Sequence, residues 1–153
     1  MMEQEIKIEK KKNRMFIFMP AQLSCLTLLV YHVHNFLSEN LENRKVIFKI
    51  QLAVDEIVTN IIKYGQHPSD SYPITVAIRM NKKDISLKIR DKGKAFNPLE
   101  YELPDIEKHK KEKKKGGLGI YLMRSVMDKI EYKYREGNIL NMKIFRKNSI
   151  SLN

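Results

Sequence analysis

The sequence contains a single cysteine, Cys25, and no apolar run approaching the length of a membrane span. One cysteine excludes an intramolecular disulfide and a cysteine-based metal cluster, and we expect Cys25 to be a small buried residue on an apolar helix. A span needs about 18 or more consecutive apolar residues, so no membrane association is predicted. The first residues are polar and charged rather than of signal-peptide type, which predicts a cytoplasmic location.

Internal repeats and Pro/Ser-rich linkers are also absent, so we predict one domain over residues 1–153. Apolar residues recur at helical spacing in some segments and alternate in others. Helices are predicted at 21–37, 42–64 and 118–130, and strands at 14–19, 74–79, 85–90, 131–135 and 139–145. Gly65 is expected to cap the second helix in a left-handed conformation. These elements predict an α+β fold: a two-layer α/β sandwich with a mixed, mostly antiparallel sheet of about five strands and helices on one face.

Acidic residues are the minority, because 29 Lys and Arg face 18 Asp and Glu and give a net charge of +11. This balance favours anionic partners such as nucleic acid, an acidic protein surface or phosphates. Much of the charge lies in two tracts, Lys7–Lys12 and Lys108–Lys115. Both resemble solvated segments rather than a folded basic face, and residues 1–13 are expected to be flexible. No nucleic-acid-binding motif accompanies them, so direct binding to nucleic acid is not predicted.

Asp91 breaks the pattern of its predicted strand. Alternation carries residue 91 to the same buried face as Ile85, Leu87 and Ile89. A carboxylate there must be paired, hydrated or facing a polar ligand, and Gly93 then permits a tight turn. Two interpretations stay open. The residue is either a strand-ending aspartate that caps a turn, or an acceptor-only group that receives an exocyclic amine such as the adenine amino group.

Glu56 and Asn60 form a polar pair on the second predicted helix. They are four residues apart and therefore lie one above the other, away from the apolar stripe of the helix. Both carry side-chain oxygens of the kind that Mg²⁺ prefers. A solvent-exposed polar pair on a surface helix has the same pattern, so both interpretations remain.

A glycine-rich segment, Gly116-Gly117-Leu118-Gly119, opens the third predicted helix. A helix N-terminus presents free N–H groups and the positive end of the helix dipole to anions such as phosphate. The segment is neither the P-loop pattern nor a dinucleotide-binding fingerprint. Taken alone it is a weak indication, because glycine-rich loops precede many helices.

The order of these three features resembles the ATPase domain shared by DNA gyrase, the ninety-kilodalton heat-shock chaperones, histidine kinases and MutL-type repair proteins. The corresponding boxes are Glu56–Gly65, Asp91–Pro98 and Gly116–Leu122. Within that superfamily the chain is most similar to the anti-sigma factor serine kinases, whose last box ends in Met-Asp, as in Met127-Asp128. The resemblance extends over nearly the whole chain.

The resemblance implies a site for ATP or ADP with Mg²⁺. Asp91 would receive the adenine amino group, with Gly93 shaping the adenine wall and Phe96 in the same box. Asn60 would ligate Mg²⁺, and Glu56 would act as general base towards a serine hydroxyl or water. The phosphates would be held at the start of the third helix, by Gly116, Gly117, Leu118, Gly119 and Ile120.

Two positions and one loop depart from the family pattern. Ala95 replaces a second glycine of the Asp-x-Gly turn, and Asn97 stands where Asp is common. Residues 98–117 correspond to the ATP lid and are unusually rich in lysine. This loop is either a solvated flexible segment, or its lysines close over the triphosphate or dock an acidic partner.

The function that the resemblance implies is an ATP-binding anti-sigma factor with protein serine kinase activity. It would phosphorylate a STAS-domain anti-sigma antagonist and sequester a sigma factor by partner switching. The alternative is a non-catalytic module that binds ATP or ADP and acts only through protein–protein binding. A basic nucleic-acid-binding protein would leave the three boxes unexplained. The resemblance also implies a homodimer, and the apolar strand Met15–Phe18 is a candidate dimer edge.

Overall fold

The computed structural model describes residues 6–65, 72–100 and 118–146. Within these ranges, six strands form one sheet and three α-helices cover it. The strands are β1 (Lys7–Lys11), β2 (Arg14–Met19), β3 (Ile74–Met80), β4 (Asp84–Asp91), β5 (Lys129–Tyr134) and β6 (Asn138–Phe145). The helices are α1 (Leu26–Asn40), α2 (Arg44–Tyr64) and α3 (Leu118–Val126), and a short 3-10 turn, Leu23–Cys25, precedes α1.

The sheet has the strand order β1-β2-β3-β4-β6-β5, and every neighbouring pair of strands is antiparallel. Alternate residues of the inner strands are buried, as the period of two requires. The register pairs Ile89 with Leu140 and Asp91 with Asn138. The end of β4 is therefore fixed beside the start of β6, which positions the site described below.

The helices pack on the buried face of the sheet and share one apolar core with it. Helix α1 contributes Leu29, Val33 and Phe36 at helical spacing. Each fully buried side chain of this size stabilises the fold by about 1.5–3 kcal/mol relative to an exposed one. The α+β two-layer sandwich is thereby confirmed, and Cys25 is buried in the core as expected. None of the helices in the described part of the chain is long and apolar enough to cross a membrane.

Asn43 caps the N-terminus of α2. Its side-chain oxygen accepts hydrogen bonds from the backbone N–H groups of Lys45 (3.1 Å) and Val46 (3.2 Å). We expect Asn43→Ala to lower the free energy of unfolding by about 1 kcal/mol, because these donors lose their acceptor. Asn43→Ser retains an acceptor and should lie closer to the wild type. Urea denaturation measures both variants, and an unchanged stability of Asn43→Ala would contradict the role of the cap.

The prediction of about five strands misses β1, which lies within the segment expected to be flexible. The sequence gives no strand pattern for β1, because the segment is mostly charged and four of its five residues are exposed. The strand forms through its pairing with β2, which places Ile8 opposite Ile17. Lys10 also reaches α1, where its Nζ lies 2.7 Å from Glu39 Oε2. Edge strands with many lysines are common because the charge discourages further pairing.

Two other expectations are wrong in detail. The strand Met15–Phe18 is not a sheet edge, because β2 pairs with β1 on one side and β3 on the other. An unpaired apolar edge for dimerisation is therefore absent at β2. Gly65 is not left-handed either, since its φ of −73° and ψ of 135° are extended. The helix ends with a hydrogen bond from Gly65 N to Ile61 O and continues as extended backbone.

Candidate functional site

A cavity of about 530 Å³ lies between the sheet and helices α2 and α3. Its volume is in the range of small-molecule sites, about 300–1,000 Å³. Its walls come from α2, the end of β4 with the turn that follows, α3, and strands β5 and β6. The lining is mainly apolar: Ile57, Asn60, Ile61, Tyr64, Gly65, Ile89, Asp91, Lys94, Ala95, Phe96, Pro98, Ile120, Tyr132, Asn138 and Leu140.

Asp91 is the buried carboxylate of this cavity, with 6% of its surface exposed. Its Oδ1 accepts hydrogen bonds from Gly93 N (2.8 Å) and from Asn138 Nδ2 (3.1 Å). Its Oδ2 has no hydrogen-bond partner among the described residues. Oδ1 therefore caps the turn, as the first interpretation predicts, while the recognition of an exocyclic amine by this carboxylate stays a prediction.

The turn after β4 forms one wall of the cavity. Gly93 is buried and contributes its N–H to Asp91 rather than lining the cavity. Phe96 lines the cavity and is 49% exposed, so its ring has an open side. Ala95 also lines the cavity.

Helix α2 presents Asn60 to the cavity but not Glu56. Asn60 lies between two apolar lining residues, Ile57 and Ile61, and is half-buried. Glu56 is half-buried one helical turn earlier and does not line the cavity. The structure therefore brings Asn60 and Asp91 together around one space, with Glu56 beside it on the same helix.

Helix α3 begins at Leu118, as the sequence predicts, and Ile120 in its first turn is buried and lines the cavity. The backbone of Leu118 and Gly119 belongs to this first turn. Gly116 and Gly117 lie outside the described residues, as does the predicted lid beyond Glu100. A helix N-terminus beside the cavity provides N–H groups and a positive dipole end suited to an anion.

Asn138 and Tyr132 line the cavity and were not predicted as site residues. Asn138 is 7% exposed and hydrogen-bonds both Asp91 and the turn after it. Tyr132 donates its hydroxyl to Asn138 Oδ1. Burial raises the pKa of the Tyr132 phenol, so the hydroxyl stays protonated at neutral pH. The strand pattern contains the relevant signal, because Asn138 begins the same alternating face as Leu140 and Met142.

The oxygen donors at the cavity suit a metal ion that is coordinated mainly by phosphates and waters rather than by protein side chains. Among residues 6–65, 72–100 and 118–146, no cluster of three or more His, Cys, Asp or Glu side chains could hold a metal ion. Asn60 offers one side-chain oxygen on the cavity wall. Mg²⁺ commonly takes one or two protein oxygens together with waters and substrate phosphates. An Mg²⁺–phosphate group therefore fits Asn60, whereas a metal bound by protein ligands alone does not.

Several known proteins are similar to this chain in sequence or in fold. Residues 19–144 match the family model described as Histidine kinase-like ATPase domain. The chain is 30% identical over 90 residues to the serine/threonine-protein kinase BtrW of Bordetella bronchiseptica, covering 59% of this chain and 63% of the relative. It is 28% identical over 127 residues to an anti-sigma F factor of Clostridium acetobutylicum, covering 78% and 82%. It is also 27% identical over 105 residues to the serine-protein kinase RsbW of Listeria monocytogenes, covering 61% and 62%.

The first of these relatives, BtrW, is matched over less than two thirds of its own length. A solved structure of the RsbU and RsbW domains of Rv1364c from Mycobacterium tuberculosis has the same fold, with a TM-score of 0.61. It is 14% identical, and the match covers 85% of this chain and 31% of that one. The family match spans most of the chain and includes the residues of the cavity named above. The chain therefore belongs to the family of histidine kinase-like ATPase domains.

Proposed function

We propose that the cavity binds ATP or ADP and that Asp91 recognises the adenine amino group. The observation that carries this proposal is a buried carboxylate in a mainly apolar cavity, whose Oδ2 has no hydrogen-bond partner among the described residues. An ionised carboxylate only accepts hydrogen bonds, so it selects a ligand with a donor. Apolar residues such as Ile57, Ile89 and Leu140 would contact the flat faces of the base.

The triphosphate would extend from the base towards α2 and the N-terminus of α3. Asn60 would contribute an oxygen to Mg²⁺, which reduces the repulsion between phosphate oxygens when it is bound. Gly116, Gly117 and Gly119, with Leu118 and Ile120, would hold the phosphates through backbone N–H groups. The position of Ile120 supports this assignment, because the first turn of α3 borders the cavity.

The proposed reaction is phosphoryl transfer from ATP to a serine of a partner protein. The serine oxygen forms a bond to the γ-phosphorus while the bond to the β–γ bridging oxygen breaks and ADP leaves. We assign the role of proton acceptor to Glu56, which lies one helical turn before Asn60 on α2. Positioning and charge neutralisation supply most of the catalysis in such a transfer.

The partners would be a STAS-domain anti-sigma antagonist and a sigma factor. The names of the relatives, which include anti-sigma F factors and serine-protein kinases, support this choice. Phosphorylation would release the antagonist and leave the kinase free to hold the sigma factor. A homodimer belongs to the same proposal, although the β2 strand is not its edge.

A non-catalytic nucleotide-binding module is the second candidate, and one observation favours it. Glu56 does not line the cavity, so within the described part of the chain this base is not preassembled against a substrate hydroxyl. Such a module would bind ATP as tightly as the kinase but would transfer no phosphate. The two candidates therefore differ in turnover and not in nucleotide affinity.

The test is a transfer assay with labelled ATP and a STAS-domain antagonist. We expect label to appear on the antagonist, and to disappear when its acceptor serine is replaced by alanine. A parallel nucleotide-binding measurement separates the outcomes. ATP binding without any labelled antagonist would contradict the kinase assignment and support the non-catalytic module.

A further inference from the structure

The β5–β6 hairpin holds a buried asparagine next to Asp91, outside the three boxes described above. Asn138 begins β6 and is 7% exposed. Its amide makes four hydrogen bonds, which use both of its N–H donors and both lone pairs of its oxygen. A buried amide so fully bonded has one orientation only, because its partners distinguish the nitrogen from the oxygen.

The first effect of this network is on the Asp91 carboxylate. Asn138 Nδ2 donates to Oδ1 at 3.1 Å, and Gly93 N donates to the same oxygen at 2.8 Å. Two donors on one oxygen fix the rotation of the carboxylate. Oδ2 has no hydrogen-bond partner among the described residues, so Asn138 and Gly93 together determine which oxygen is left to accept from a ligand.

The second effect is on the wall of the cavity. Asn138 Nδ2 also donates to Lys94 O at 2.8 Å, while Phe96 N donates to Asn138 Oδ1 at 2.9 Å. One side chain thereby holds the backbone on both sides of Ala95. The Tyr132 hydroxyl donates to the same Oδ1 from β5, which keeps the amide in place.

The tip of the hairpin is in close contact with the same strand end. Gly137 has a φ of +137°, and a Cβ at this position would lie 2.4 Å from the backbone oxygen of Asp91. Only glycine permits this approach without a shift of the backbone. The hairpin therefore sets the position of Asp91 through its backbone as well as through Asn138.

We propose that Asn138 is a positioning residue for nucleobase recognition and that it determines the preference for a base with an exocyclic amino group. The inference rests on the proposed binding of ATP at Asp91. Asn138 acts through Asp91 and through residues 94–96. Its loss should therefore reduce discrimination between bases more than it reduces contact with the phosphates.

The test compares the binding of ATP with that of purine riboside triphosphate, which lacks only the 6-amino group. Wild-type protein should prefer ATP by about 10- to 100-fold, the range expected for one hydrogen bond to a charged acceptor. We expect Asn138→Ala to reduce this ratio to about threefold or less, with a smaller effect on the analogue. Asn138→Asp keeps the shape of the side chain but cannot donate when ionised, and it should lose the preference as well.

Asn141→Ala is the matched control, because Asn141 lies on the same strand and does not line the cavity. It should keep the wild-type ratio. Thermal melting shows whether Asn138→Ala folds. If it does not fold, Asn138→Asp and the milder Tyr132→Phe replace it in the test. We expect both variants to prefer ATP over the analogue less strongly than the wild type does. A wild-type ratio in the folded variants would overturn the inference. A wild-type protein that binds neither nucleotide, or binds both equally, would instead contradict the proposed function.

Discussion

Glu56→Gln is expected to reduce phosphoryl transfer to the antagonist about a thousandfold, within the range for loss of a general base. ATP affinity should stay close to the wild-type value, because Glu56 does not line the cavity. Glutamine keeps the size and hydrogen-bonding reach of the side chain but cannot take a proton from serine. Single-turnover transfer, measured at saturating ATP, separates this chemical effect from nucleotide binding.

Glu39→Gln is the control for this experiment. Glu39 also lies on a helix and pairs with Lys10 at the surface, away from the cavity. Exposed ion pairs contribute little, so this variant should transfer phosphate at the wild-type rate. Undiminished transfer by Glu56→Gln would exclude Glu56 as the base. A loss of ATP binding in the same variant would instead assign the residue to the nucleotide site.

Asp91→Asn should weaken ATP binding about a hundredfold. The substitution removes the charge from the acceptor and leaves a buried amide among the donors Gly93 N and Asn138 Nδ2. Hydrogen bonds to charged groups contribute about 1.5–3 kcal/mol, and an unsatisfied buried partner adds to the loss. Calorimetric titration measures the change directly.

Asp84→Asn provides a matched control at the opposite end of the same strand. Asp84 Oδ1 accepts hydrogen bonds from Asn81 Nδ2 and Ser86 Oγ next to the β3–β4 turn, and Asp84 lies outside the cavity. Its replacement should leave the affinity for ATP unchanged, even where stability falls. Equal affinities of Asp91→Asn and the wild type for ATP would contradict the proposed role of Asp91 as the acceptor for the adenine amino group.

Elements with strong periodicity were predictable from the sequence. Helix α2 and strands β3 and β4 were predicted to within two residues at each end, because one face of each element is apolar and the other polar. The local sequence pattern alone therefore indicates which face of each element is buried. The α+β architecture follows from the order of these elements, and the family match and the solved structure confirm it.

Strand β1 could not be predicted, because its formation depends on a partner strand. Lys7–Lys11 have no apolar alternation, and only Ile8 is partly buried there. Segment 7–11 becomes a strand through its backbone hydrogen bonds to β2. These bonds depend on the position of a second strand and not on the segment's own sequence. The dimer edge assigned to β2 was wrong for the same reason, since the sequence gives no sign that another strand covers it.

The site was predictable where a residue breaks the pattern of its own element. Asp91 is such a residue, and the structure places it in the cavity with Asn60. Asn138 breaks the apolar pattern of β6 in the same way, but it lies directly before the predicted strand 139–145 and was not included in it. Its role depends on the register that pairs it with Asp91, which no local pattern contains.

Calorimetric titration of the full chain with ATP, with and without Mg²⁺, tests most directly the proposal that this cavity binds ATP. We predict saturable binding of one nucleotide per chain, with higher affinity when Mg²⁺ is present because Asn60 and the phosphates share the ion. Absence of heat and of any thermal stabilisation by ATP would contradict the claim. The cavity would then be a surface for protein partners that retains the shape of a nucleotide site.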